Sequence, residues 1–145
     1  MRTVGLAISR TLVPGVEGTN VGAYLRDLFT RAKDAVFVMP EVPKVLRAMM
    51  ARYCPDAKAV PFVPRLTKYK KKAEAYMARA VELCEAAQEM FAFHDNSDWT
   101  NSSVMIASTF AEVHPGYALV TYIVVDGEVL EVSLDEMRRV SGYKG

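Results

Sequence analysis

The sequence is poor in the residues that build metal and redox centres. Two cysteines, Cys54 and Cys84, and two histidines, His94 and His114, are all that its 145 residues contain. The cysteines form no Cys-x-x-Cys pair and have no histidine at ligand spacing. Neither a zinc site nor a disulfide framework is therefore expected, and no metal or other cofactor is implied. Both thiols fall in segments that read as helical, where buried free thiols of a reducing cytosol are the expectation. Charge of one sign is also missing: 18 basic residues face 17 acidic ones, for a net charge of +1. That balance exerts no global pull towards nucleic acid or an anionic membrane, so nucleic acid is not an expected partner. No apolar run approaches the roughly 18 residues of a membrane span. The first residues, Met1-Arg2-Thr3-Val4, enter a strand pattern without an apolar signal region. The expectation is a cytoplasmic protein. Internal repeats, low-complexity tracts and linkers are absent, which leaves a single domain over residues 1–145.

What is present is an ordinary globular balance, 51% hydrophobic and 24% charged, enough to build a core without staples. Short apolar runs at 4–8 and 35–39 read as buried strands. Between them Val21, Tyr24, Leu25, Leu28, Phe29 and Ala32 recur at helical spacing, with Thr19 or Asn20 as cap. Pro43 opens a second helix and Pro55 stops it. A strand at 58–63 contains Pro61, which restricts it to an edge. The longest helix is expected from about Thr67 to Gln88, with Ala73, Tyr76, Met77, Ala80, Val81, Cys84 and Ala87 as its apolar face. A strand at 90–94, a polar loop at 95–99, a helix at 101–112 and a strand at 117–125 follow. Asp126-Gly127 is a tight-turn signal that makes a hairpin with 128–132. Ser133 with Glu136 is a capping box for a last helix. The alternation predicts an α/β domain: a mostly parallel sheet, helices on both faces, and a C-terminal antiparallel hairpin at one edge.

In such sheets ligands bind beyond the carboxyl ends of the strands, where helix N-termini offer free amides to phosphate. Three segments answer that description. In Ser9–Gly22, the amides around Gly15 and Gly18 can cradle an anion, with Ser9, Arg10 and Thr19 beside them; alternatively the glycines only permit a turn and Thr19 only caps a helix. In Asp95–Ser103, Ser97, Thr100, Ser102 and Ser103 can contact phosphate, Trp99 can stack on a ring, and Asp95 can meet sugar hydroxyls. The alternative there is a pair of Asx-turns and a cap, with Trp99 packed on the surface. In Arg65–Lys72, five residues of eight are basic, Lys68 and Lys71 among them. Such a start opposes the helix dipole and suits either a phosphate-bearing partner or a solvated surface. Neither histidine stands at a recognisable triad spacing.

These residues resemble the SLOG superfamily, Rossmann-like proteins that include nucleotide sensors and LOG-type nucleotide phosphoribohydrolases. The first strand running into Ser9-Arg10 is similar to the family's glycine-serine-arginine strand ending. Lys68-Tyr69-Lys70-Lys71 through Met77, followed by Ala86 to Phe93, is similar to the basic, methionine-bearing helix that precedes a strand ending at an aspartate. In that alignment Asp95, Ser97 and Thr100 fall in the family's phosphate loop. Pro14-Gly15-Val16-Glu17-Gly18-Thr19 looks like the Pro-Gly-Gly-x-Gly-Thr-x-x-Glu signature, displaced to follow the first strand. Met39-Pro40-Glu41-Val42-Pro43 stands where the family has a glycine-rich loop. Gly22 occupies the slot of the glutamate that carries hydrolysis. The resemblance implies a three-layer Rossmann-like fold and binding of a nucleotide or nucleotide-sugar-like phosphorylated small molecule, more than catalysis. Two alternatives stand beside it: an N-glycosidic-bond hydrolase with Glu17, Asp95 or Asp98 as acid/base, and a phage or mobile-element interaction protein without a small ligand. The broad apolar face of the long helix and the eight methionines further suggest a homodimer or higher homo-oligomer.

Overall fold

A computed structural model describes residues 2–62 and 71–144. Its element order is β1 (Thr3–Ile8), α1 (Asn20–Arg31), β2 (Val36–Met39), α2 (Lys44–Tyr53), β3 (Lys58–Pro61), α3 (Lys72–Ala86), β4 (Glu89–Asp95), α4 (Ser102–Val113), β5 (Ala118–Val125), β6 (Glu128–Val132) and α5 (Leu134–Ser141). The six strands form one sheet in the order β3-β2-β1-β4-β5-β6. All neighbours run parallel except β5 and β6, which pair antiparallel. The fold is thus the α/β, mostly parallel, three-layer arrangement that the alternation of elements predicts.

Alternate residues of each buried strand feed two cores. On one face Val4, Leu6, Phe37, Met39, Phe91 and Phe93 meet Leu25, Leu28 and Phe29 of α1 and Leu46, Met49 and Met50 of α2. On the other, Ala7, Val38, Met90, Ala92 and Ile123 meet α3 and α4, with Met137 of α5 closing the layer. Small residues on this second face bring α4 close to the sheet, and α4 is buried on nearly every side. β3 is an edge strand with Pro61 in its last paired position, where no neighbour needs its missing N–H.

Local signals set the boundaries. The Thr19 hydroxyl accepts from Gly22 N at 3.2 Å and donates to Val16 O at 2.6 Å, so it caps α1 and ties down the preceding 3₁₀ turn. A Cβ on Gly22 would stand 2.1 Å from Val16 O, so this helix start packs against backbone that only glycine clears. Asp126 and Gly127 both hold positive φ, 50° and 81°, as the two-residue turn between β5 and β6 demands. Ser133 accepts from Glu136 N at 3.1 Å and starts α5.

One expectation needs correction. On α3 and its C-cap, Ala80, Cys84 and Ala87 are buried as expected, joined by Ala75 and Leu83, whereas Ala73 and Met77 are exposed. The first turns of the helix face a cavity rather than the core. The expected start of this helix near Thr67, together with Lys68, lies outside the described residues. No helix among the described residues is long and apolar enough to cross a membrane.

Candidate functional site

Successive strands step from β1 towards β3 in one direction and from β4 towards β5 in the other, so the order reverses between β1 and β4. A crevice opens at such a switch point because the helices that follow the two strands leave on opposite faces. Here α1 packs on one face and α4 on the other. A cavity of about 720 Å³ lies at the carboxyl ends of β1 and β2, walled by the first turns of α3 and α4. Its size is within the roughly 300–1,000 Å³ typical of small-molecule sites.

Most of the wall is apolar, with Ile8, Met39, Leu46, Tyr76, Met77 and Ile106 prominent. Among the described residues the charged and small polar groups are few: Arg10, Glu41, Arg79, Thr100, Ser102 and Ser103. Arg10 pairs with Glu41 at 3.6 Å, both side chains mostly exposed. Arg79 takes part in none of the ion pairs among the described residues; its guanidinium lies over the Tyr76 ring at 4.8 Å. Burial lowers the Arg79 pKa, and the charge of Arg10 lowers it further against the pull of Tyr76 and Glu41. Among the described residues the cavity thus carries two guanidinium groups and one carboxylate, Glu41, which pairs with Arg10 and also attracts Arg79.

The fourth wall is the start of α4. Asn101 holds a left-handed φ of 55° and gives the helix no side-chain cap. The first amide with a backbone acceptor is that of Met105, bonded to Asn101 O at 3.0 Å. The amides of Ser102, Ser103 and Val104 have no backbone acceptor, and the positive end of the helix dipole lies at the cavity wall that Ser102 and Ser103 form.

Ser103, in this wall, belongs to a buried polar chain. Ser9 Oγ accepts from Asp95 N at 2.9 Å and stands 3.3 Å from Ser103 Oγ. Ser103 Oγ is in turn 3.1 Å from His94 Nδ1. Each of the three residues is at most 1% exposed, and they come from the ends of β1 and β4 and the first turn of α4. Burial pushes the His94 pKa down, opposed by the carboxylates of Asp98 and Asp95, so the imidazole is neutral at pH 7.

The expected site residues divide between two places. Arg10, Thr100, Ser102 and Ser103 line the cavity, with Ser9 hydrogen-bonded to Ser103. Thr19, Asp95 and Ser97 instead line a second, more polar hollow of about 560 Å³ beside the β5–β6 turn. Asp95 is occupied there: Oδ1 accepts from Ser97 N at 2.9 Å and Ser97 Oγ at 2.8 Å, and Oδ2 from Thr11 Oγ1 at 2.5 Å. Burial would raise its pKa, but these hydrogen bonds prevail and hold the carboxyl below its ordinary value. Asp98 closes the next Asx-turn on Thr100 N at 3.0 Å. Gly15 is a left-handed turn residue (φ 66°), and Glu17 pairs with Arg52 across the α1–α2 side. Gly18, Trp99 and Lys71 line neither hollow, and Trp99 is 88% exposed. Arg79, Tyr76, Met77 and Glu41 belong to the cavity without having been expected there. Their only signal in the sequence is that Arg79 interrupts an apolar face three residues after Tyr76. Comparison with known proteins adds no relative: no family model, curated protein or solved structure matches the chain.

Proposed function

We propose that the cavity binds a nucleotide or nucleotide-sugar-like phosphorylated small molecule, with its phosphate between Arg10 and Arg79 at the start of α4. The observation that carries this reading is the convergence on one switch-point cavity of two guanidinium groups, that of Arg79 without an ion pair among the described residues, and an uncapped helix N-terminus. An anion between the arginines meets two positive charges and the end of a helix whose first amides have no backbone acceptor. The apolar wall then takes the base or ring by packing. This is also where the resemblance to the SLOG superfamily sets the ligand, beyond the first strand.

Binding is favoured over N-glycosidic cleavage by the position of the three expected carboxylates, and the cavity's own carboxylate, Glu41, is paired with Arg10. Glu17, Asp95 and Asp98 all lie off the cavity, bonded to Arg52 or to their own loop. A homodimer remains part of the proposal on the strength of β6, an edge strand whose Leu130 is exposed; light scattering at high micromolar concentration tests it. The α3 face no longer argues for a dimer, since it is shared between core and cavity.

Calorimetry with nucleoside monophosphates, cyclic nucleotides, ADP-ribose and inorganic phosphate tests the binding. At least one nucleotide is expected to bind to the wild type and to lose affinity in Arg10→Ala/Arg79→Ala. A correctly folded wild type that binds none of them overturns the reading.

A further inference from the structure

We infer that Ser103 is a nucleophile and His94 its general base, and that the cavity turns over carboxylic esters with an apolar acyl group. This goes beyond ligand binding and does not depend on it. Ser103 stands at the cavity wall with its Oγ 3.1 Å from His94 Nδ1, inside the range in which an imidazole takes a proton from a hydroxyl. Ser9 Oγ already accepts the Asp95 amide hydrogen, so its own hydrogen is free to be donated to Ser103 Oγ. With Ser9 Oγ as the donor to Ser103 Oγ, the proposed His94 tautomer is the one whose Nδ1 accepts from Ser103. A chain needed only to join β1, β4 and α4 would gain as much from apolar packing, without three polar side chains withdrawn from water.

The surroundings supply the other requirements of acyl transfer. The amides of the first α4 turn, which have no backbone acceptor, would serve the oxygen that becomes negative. The carboxylates of Asp98 and Asp95 favour the imidazolium that forms in the transition state, while burial keeps the resting imidazole neutral. Met39, Leu46, Met77, Met105 and Ile106 give an aliphatic acyl group an apolar bed.

The step balances as follows. Ser103 Oγ adds to the ester carbonyl carbon as its proton passes to His94 Nδ1, and the carbonyl oxygen takes the negative charge. When the tetrahedral species collapses, the carbon–oxygen bond to the alcohol breaks and the alcohol leaves with the proton from His94. Water, deprotonated by His94, then cleaves the acyl-serine. The carboxylic acid leaves and the proton returns to Ser103.

An alkyl fluorophosphonate is the direct probe, with the adduct located by peptide fragmentation and p-nitrophenyl butyrate hydrolysis measured alongside. The expected result is one adduct, on Ser103, and hydrolysis that falls about 10²–10⁴-fold in Ser103→Ala and in His94→Gln. If either variant fails to fold, the adduct map of the wild type decides alone. No adduct on folded wild type, an adduct on Ser102 instead, or hydrolysis unchanged in folded Ser103→Ala overturns the inference. Nucleotide binding without an adduct refutes the nucleophile and leaves the proposed function standing. An adduct without nucleotide binding does the reverse.

Discussion

Arg79→Met separates the binding role of the cavity from any structural one. Methionine keeps the unbranched apolar stem of Arg79 and removes only the guanidinium. In the free protein that charge stands under a burial penalty, is attracted by Glu41 more than it is repelled by Arg10, and has no ion pair among the described residues. What the substitution loses is the contact with the Tyr76 ring at 4.8 Å, worth about 0.5–1 kcal/mol at a partly exposed site. What it gains is relief from desolvation. The two oppose one another, so the ligand-free protein should melt within about 3 °C of wild type. Nucleotide affinity should move far more, because a hydrogen bond to a charged group contributes about 1.5–3 kcal/mol, or roughly ten- to a hundredfold in Kd. Calorimetry on both proteins, with thermal melts of the free forms, reads both quantities. Equal affinity would remove Arg79 from the site. A large drop in melting temperature without ligand would show the guanidinium to be structural and refute the reasoning.

Three further outcomes are expected. Gly22→Ala brings a methyl group to 2.1 Å from Val16 O, a backbone atom that no rotamer change can avoid. Overpacking costs about 1–3 kcal/mol and outweighs the helix propensity gained, about 1 kcal/mol at most; a melting temperature that rises would contradict this. The depressed pKa of His94 means that the unfolded chain binds a proton more readily. Stability should therefore be full above the unfolded value near 6.5 and decline as pH falls through the folded value. Denaturant titrations between pH 7.5 and 5 should show that slope in the wild type and its loss in His94→Gln. Asp95→Asn should leave nucleotide affinity unchanged, because the side chain lines the other hollow and asparagine still closes the turn on Ser97 N; a tenfold loss measured by calorimetry would return Asp95 to the site.

The fold was legible because its cues are local. The Thr19 cap, the Asp126-Gly127 turn and the Ser133–Glu136 pair each act within four residues, and buried strands announce themselves as short apolar runs. The site was half legible for the same reason. Arg10 and Ser102–Ser103 follow strand ends, which a general rule singles out. Asp95 and Asp98 carry the same local signature as ligand-binding carboxylates, yet their hydrogen bonds go to their own turns, an outcome decided by loop geometry. Arg79 and the Ser103–His94 contact depend on how α3 and α4 rotate against the sheet. Spacing along the chain does not carry that rotation: His94 and Ser103 are nine residues apart, and Ser9 joins them from the far side of the sequence. Ala73 and Met77 mislead similarly, since a cavity wall and a core wall require the same apolar residues.

The amide resonances of α4 test the central claim most directly. In a ¹⁵N-labelled sample titrated with the tightest-binding nucleotide, the amides of Ser102, Ser103 and Val104 should show the largest shifts, together with the side-chain Nε–H of Arg10 and Arg79. Shifts centred on Thr19, Asn96 and Ser97 would place the ligand in the second hollow, and a spectrum unchanged at saturating nucleotide would contradict binding altogether.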